Sequence, residues 1–163
     1  MPDGATHKLI GASGGCVFAA YRAKDQNPGS WIAELAGGAI GGYVGGILPD
    51  ILEPAISSWH RGVAHSYVGG ATVVATAIEV LSKWEIACRT NAENCKATPA
   101  IVIPGGMFVA APPDPVYQFL SSLAELFWRL MAGFLNGLVA GYVSHLALDA
   151  ITPRSIPLLA SGF

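Results

Sequence analysis

Two short stretches concentrate the residues that could do chemistry. "WHRGVAHS", Trp59 to Ser66, sets His60, Arg61, His65 and Ser66 within seven positions. "SHLALDA" places His145 and Asp149 four apart, so on a helix both point the same way. Imidazole nitrogen and carboxylate oxygen are both good zinc or manganese ligands, and such a pair can grip one divalent ion. His60 and His65, five apart, suit a turn feeding a helix start, with Gly62 giving the backbone freedom. Arg61 could hold a phosphate or carboxylate bidentately. Each stretch also has a plain reading. His145 and Asp149 could share a surface hydrogen bond, and the other stretch could be a capped helix whose Ser66 hydroxyl bonds backbone. His7 in "THK" and Asp50 in "LPD" say little individually.

The background makes these residues informative. Of 163 residues, 52% are hydrophobic and 12% charged, against about 25% charged in an ordinary soluble domain. Mean hydropathy is +0.47. All four histidines flank apolar segments, and acids recur beside them. Burying an unpaired imidazole or carboxylate is costly, and the usual remedy is a partner or a metal. One shared site of His7, Asp50, His60, His65, His145 and Asp149 would satisfy all six together. Net charge is −2 and the nine Lys and Arg are scattered. Nucleic-acid binding through phosphate contacts is therefore not expected.

The elements that must position these groups read as helices. Thr6 to Tyr21 is a short helix rich in small residues, and Lys24 to Ser30 ("KDQNPGS") is a loop. Trp31 to Leu48 is a second helix whose glycines fall in pairs, Gly37-Gly38, Gly41-Gly42 and Gly45-Gly46. Spaced by four, they make two neighbouring side-chain-free ridges, suited to close helix packing within the chain or between copies. Pro49 ends this helix, with Asp50 just beyond. Gly62 to Leu81 is a third helix and Val116 to Ala150 a long last one, where Glu125 and Arg129 can pair. Residues 82–115 read as an irregular insertion, in which "AIVIP" could be a short strand. Cys88 and Cys95 bracket a polar, turn-like "RTNAEN" and could be disulfide-bonded or free. The N-terminus is a poor signal peptide. The expectation is a single all-α domain over 1–163, a membrane-associated bundle of four to five apolar, glycine-rich helices.

At this point the chain resembles a known family, the bacterial inner-membrane metal-dependent hydrolases, some of them named LexA-binding inner membrane-associated hydrolases. Four elements match in order: a histidine near the N-terminus ("ATHKLIG"), "LPD" after a small-residue helix, "HRGVAHS", and "GYVSHLALDAITP". The resemblance spans nearly the whole chain apart from residues 82–115. It implies a helical fold in the inner (cytoplasmic) membrane. It also implies a divalent-metal site, zinc first and manganese or another ion second, with ligands His7, Asp50, His60, His65, His145 and Asp149. One departure stands out. Where members often read "LPDIDHP", this chain has Leu52 and Glu53 in place of the second Asp and the His.

The functional expectation is a membrane-associated metal-dependent hydrolase. A zinc-like ion lowers the pKa of bound water to about 7. Asp50 or Glu53 would orient or deprotonate that water, Arg61 would hold an anionic substrate group, and Ser66 would support a ligand. A phosphoester, as in a lipid headgroup, would suit such a site, and membrane lipids are the expected partners. The first alternative is a non-catalytic assembly subunit with a structural metal site, forming a homo-oligomer through the Gly37, Gly41, Gly45 face. The second is a soluble particle component that borrows the fold.

Overall fold

The structure is a computed structural model that describes residues 4–52, 66–96, 100–103, 107–110 and 114–151. Five helices and one hairpin make up these residues: α1 Gly4–Arg22, α2 Pro28–Gly45, α3 Leu48–Leu52, α4 Tyr67–Lys96, β1 Ala100–Ile103, β2 Met107–Ala110 and α5 Pro115–Ala150. The protein is an all-α bundle with a two-stranded ornament. Local chemistry sets the helix starts. Asn27 accepts a hydrogen bond from the Ser30 amide, and Asp114 accepts one from the Val116 amide. Pro28 and Pro115 follow them at the first helical position, where a missing N–H costs nothing.

The two glycine ridges of α2 face two different helices of the same chain. Gly38, Gly42 and Gly46 lie against α1, whose own Gly11 and Gly15 meet them. Gly37, Gly41 and Gly45 lie against the carbonyls of Leu130, Phe134 and Leu138 on α5. A Cβ at Gly41 would collide with the Phe134 carbonyl oxygen, a rigid backbone atom. The Gly37, Gly41, Gly45 face is therefore covered by α5, which corrects the expectation that it would receive a second copy. The pairing also sets direction: α1 runs antiparallel to α2, and α5 runs parallel to it. α4 packs on α5.

The expected irregular stretch is corrected over residues 82–96, which continue α4. The "RTNAEN" segment is helical, so Cys88 and Cys95 sit seven residues apart on one helix. That is a rise of about 10 Å, beyond the roughly 7 Å Cα separation a disulfide tolerates, and both thiols are free. The strand read in "AIVIP" is present. It pairs antiparallel with Met107–Ala110, Ala100 opposite Ala110 and Ile103 opposite Met107. Pro49 lies within α3 rather than ending α2, which stops at Gly45.

The interior is inverted relative to a water-soluble bundle. Among the described residues, the largest fully buried side chains are Arg129, His145, Glu34, Glu85, Pro49 and Ser66. The buried apolar residues are mostly alanines, including Ala19, Ala23, Ala33, Ala92 and Ala132. Large apolar side chains such as Leu9, Val17, Ile32, Ile40, Phe119 and Phe127 point outward. Small residues between helices, polar groups inside and bulky apolar groups outside suit a hydrocarbon solvent. Two segments, Pro28–Leu52 and Pro115–Ala150, are long and apolar enough to cross a membrane.

Candidate functional site

Three regions of the chain bring polar side chains to one end of the bundle. The second turn of α1 supplies His7, α3 supplies Asp50, and the last turns of α5 supply His145 and Asp149. Gly46 makes this convergence possible. A Cβ there would sit 2.6 Å from the His7 carbonyl oxygen, so only glycine lets α1 come this close. Its own carbonyl accepts a hydrogen bond from His145 Nδ1 at 2.7 Å. A carbonyl can only accept, so Nδ1 carries a proton. Nε2 is thereby directed at the acids.

The geometry is tight. His7 Nε2 lies 3.4 Å from Asp149 Oδ1, and His145 Nε2 lies 3.5 Å from Asp149 Oδ2 and 3.6 Å from Asp50 Oδ1. The two imidazoles stack, centroids 3.9 Å apart. His7, His145 and Asp149 each offer one donor atom, all within 4.8 Å of one another. His145 is fully buried, and His7 and Asp149 are 3% exposed. The Asp50 side chain is 43% exposed and forms the open side of the cluster.

Four of the residues singled out in the sequence thus meet in space: His7, Asp50, His145 and Asp149. Ser66 is buried and its hydroxyl accepts the Gly69 amide at 3.0 Å, which makes it the N-cap of α4. That is the backbone-bonding reading of its hydroxyl. Glu53, His60, Arg61 and His65 lie outside the described residues.

A second buried polar cluster lies nearer the other end and has no counterpart in the sequence reading beyond Glu125 and Arg129. Arg129 donates to Gln26 at 2.9 Å and to Glu34 at 3.2 Å, and also pairs with Glu93. Its expected partner Glu125 is 3.9 Å away, a looser contact. Arg89 bridges Glu34 at 2.6 Å and Glu85 at 3.1 Å, and donates to the Arg22 carbonyl at 3.0 Å. Arg22 closes the chain of pairs on Glu85 at 2.6 Å, a hydrogen bond that pushes its guanidinium pKa up. The signal for it was available: Glu34 and Arg129 are ionisable residues inside apolar, glycine-rich helices. Sixteen residues of α5, about 24 Å of helix, separate Arg129 from His145.

A family model described as YdjM inner membrane protein matches residues 1–160. No curated protein and no solved structure matches the chain.

Proposed function

The chain belongs to the YdjM inner membrane protein family and resides in the inner membrane; from this premise we propose that it is a metal-dependent hydrolase acting on phosphoesters at the membrane surface. The observation that carries the reading is the spacing of donor atoms. A four-coordinate ion with bonds of about 2.0–2.2 Å sets its ligands about 3.3–3.6 Å apart. The His7–Asp149 and His145–Asp149 separations are 3.4 and 3.5 Å, to the two oxygens of one carboxylate, and the three donors lie within 4.8 Å of one another. The donor chemistry, two imidazoles and a carboxylate, suits zinc or manganese.

In this reading His7, His145 and Asp149 hold the ion, with His60 and His65 as further ligands. The ion supplies Lewis-acid activation of water. The chain's own residues do the rest. Gly46 fixes the tautomer and aim of His145. Asp50, the half-exposed member, orients or deprotonates the attacking water, with Glu53 as its neighbour in that task. Arg61 holds the anionic part of the substrate, and Ser66 fixes the start of α4. The site lies near the C-terminal ends of the two segments long and apolar enough to cross a membrane, Pro28–Leu52 and Pro115–Ala150.

A second reading is a structural ion in an assembly subunit. It is favoured by the near-complete burial of His7, His145 and Asp149 and by Leu52 and Glu53 standing where the family resemblance implies an Asp and a His. Metal analysis of the purified protein, with assays on soluble phosphoesters, separates the two. Bound zinc or manganese with turnover, both lost in His145→Ala and Asp149→Ala, supports the hydrolase. Metal without turnover supports the structural reading. Protein free of metal, and unchanged in the variants, overturns both.

A further inference from the structure

α5 outruns the helices it packs against. Its 36 residues make about 54 Å of helix, against a hydrocarbon core of about 30 Å. Even a steep tilt of about 40° leaves roughly 41 Å along the membrane normal, so part of α5 stands outside the apolar zone. Its contacts show which part. Lys96, in the last turn of α4, pairs with Glu125 at 3.0 Å. Ser30, in the first turn of α2, donates to Glu125 at 3.4 Å. Gln26, in the turn between α1 and α2, accepts from Arg129 at 2.9 Å. Three helices thus begin or end level with Glu125 and Arg129, and exposed Arg22, Lys24, Asp25, Glu93 and Lys96 make that level polar. Residues 115–124 continue past it by about 15 Å. Among the described residues the hairpin packs only on itself.

This projecting stretch is two-faced. Gln118, Ser121, Ser122 and Glu125 share one side, which continues down the helix into buried Arg129. The other side carries Val116, Phe119, Leu120, Leu123, Leu126 and Phe127, each between 46% and 65% exposed. Val116, Leu120, Leu123 and Phe127 follow one another by four, three and four residues, the seam spacing of a coiled coil. Phe119 and Leu126 flank the seam at positions that soluble coiled coils often give to charges. No charged residue lies between Asp114 and Glu125, so two copies of this face can meet without like-charge repulsion. The six side chains bare on the order of 600 Å² per chain, or about 1,200 Å² for a pair, which reaches the size of a specific interface.

We propose that this face of α5 pairs with the same face of a second copy, Val116, Leu120, Leu123 and Phe127 each meeting its counterpart in a short parallel coiled coil. Copies inserted in one direction are related by a two-fold axis along the membrane normal, which makes their α5 helices parallel. The surface is distinct from the Gly37, Gly41, Gly45 face of α2, which α5 covers within the chain. The pairing does not depend on the hydrolase reading.

The test uses the full chain in vesicles of phosphatidylethanolamine and phosphatidylglycerol. The photoreactive residue p-benzoylphenylalanine, placed at Leu120 or Leu123, should give a covalent dimer on irradiation. Placed at Gln118 or Ser122, exposed on the other side, it should give little or none. In a chain whose three cysteines are replaced by alanine, Val116→Cys and Leu123→Cys should each self-link on oxidation, since only a parallel seam brings both positions to their counterparts. Sedimentation in detergent should show a dimer. Leu120→Ala should raise its Kd about a hundredfold, because the side chain is lost from both copies, while helix content stays at the wild-type level. Leu123→Ala should act alike and stands in if Leu120→Ala folds poorly. A monomer at every concentration, or covalent dimers as abundant from Gln118 as from Leu120, would overturn the proposal. So would adducts from Leu120 to lipid or to the chain's own hairpin in place of a second copy, or failure of either cysteine to self-link.

Discussion

The two buried polar clusters sit in the same bundle and are built from opposite chemistry. Near one end, Arg22, Arg89 and Arg129 alternate with Glu34, Glu85 and Glu93, each charge facing its opposite. Such a cluster pairs each charge with an opposite one and ties α1, α2, α4 and α5 together. At the other end the described members are His7, His145, Asp50 and Asp149, all donors of lone pairs to a cation or acceptors of protons. The first is made to be closed. The second pairs imidazoles with carboxylates, with Asp50 on its open side. Burial alone would not have separated them, since Arg129 and His145 are equally hidden. Ligand type separates them.

The largest effect should come from breaking the closed cluster. Arg129→Met removes one of the two guanidiniums on buried Glu34, leaving Arg89, and should cost about 3 kcal/mol. Thermal unfolding in detergent, followed by loss of helix signal, measures it. A variant as stable as wild type would mean that the cluster is no clamp. The open cluster should behave differently. Wild type should be stabilised by added zinc or manganese by about 2.7 kcal/mol at a hundredfold excess over Kd. Asp149→Asn should abolish the gain while leaving metal-free stability far less affected than Arg129→Met does. Equal metal response in both proteins would erase the distinction between the two ends.

Smaller effects sharpen the frame between them. Gly41→Ala forces a Cβ toward the Phe134 carbonyl oxygen. It should destabilise by about 1–3 kcal/mol, the usual cost of overpacking; a neutral result would show that α2 and α5 can separate freely. Smallest is the titration of Cys88, which lies beside the closed cluster. Burial, with Glu34 and Glu85 nearby, pushes its thiol pKa up. A raised acid pKa means that the neutral thiol favours the fold. That contribution is complete below the ordinary thiol value of about 8.5 and fades as pH rises through the higher folded value. Cys88 should therefore resist alkylation by iodoacetamide at mildly alkaline pH, and urea stability should fall only above that range. Fast labelling of Cys88 in the folded protein would contradict its burial.

Much of this arrangement was readable from the chain. Paired glycines every four residues in α2 demanded two close neighbours, and both exist. The His145 and Asp149 spacing required a shared helix face, and "THK" and "LPD" supplied His7 and Asp50 to the same end. The hidden parts have physical reasons. Helix propensity in "RTNAEN" is carried by packing of α4 on α5, which a polar stretch does not announce. Glu34 looks ordinary until Arg89 and Arg129, 55 and 95 residues away, are folded onto it.

Sequence by itself determined the apolar, glycine-spaced helices and the identity of the groups that had to be sheltered. Both follow from local period and from the cost of leaving imidazole and carboxylate unpaired in an oily chain. The tertiary structure alone decided which neighbour fills each glycine ridge, and that α5 takes the face a second copy could have used. It also decided that Gly46 aims His145 and that two polar clusters sit apart. Those choices depend on helix direction and close backbone approach, which are properties of contacts between segments distant along the chain.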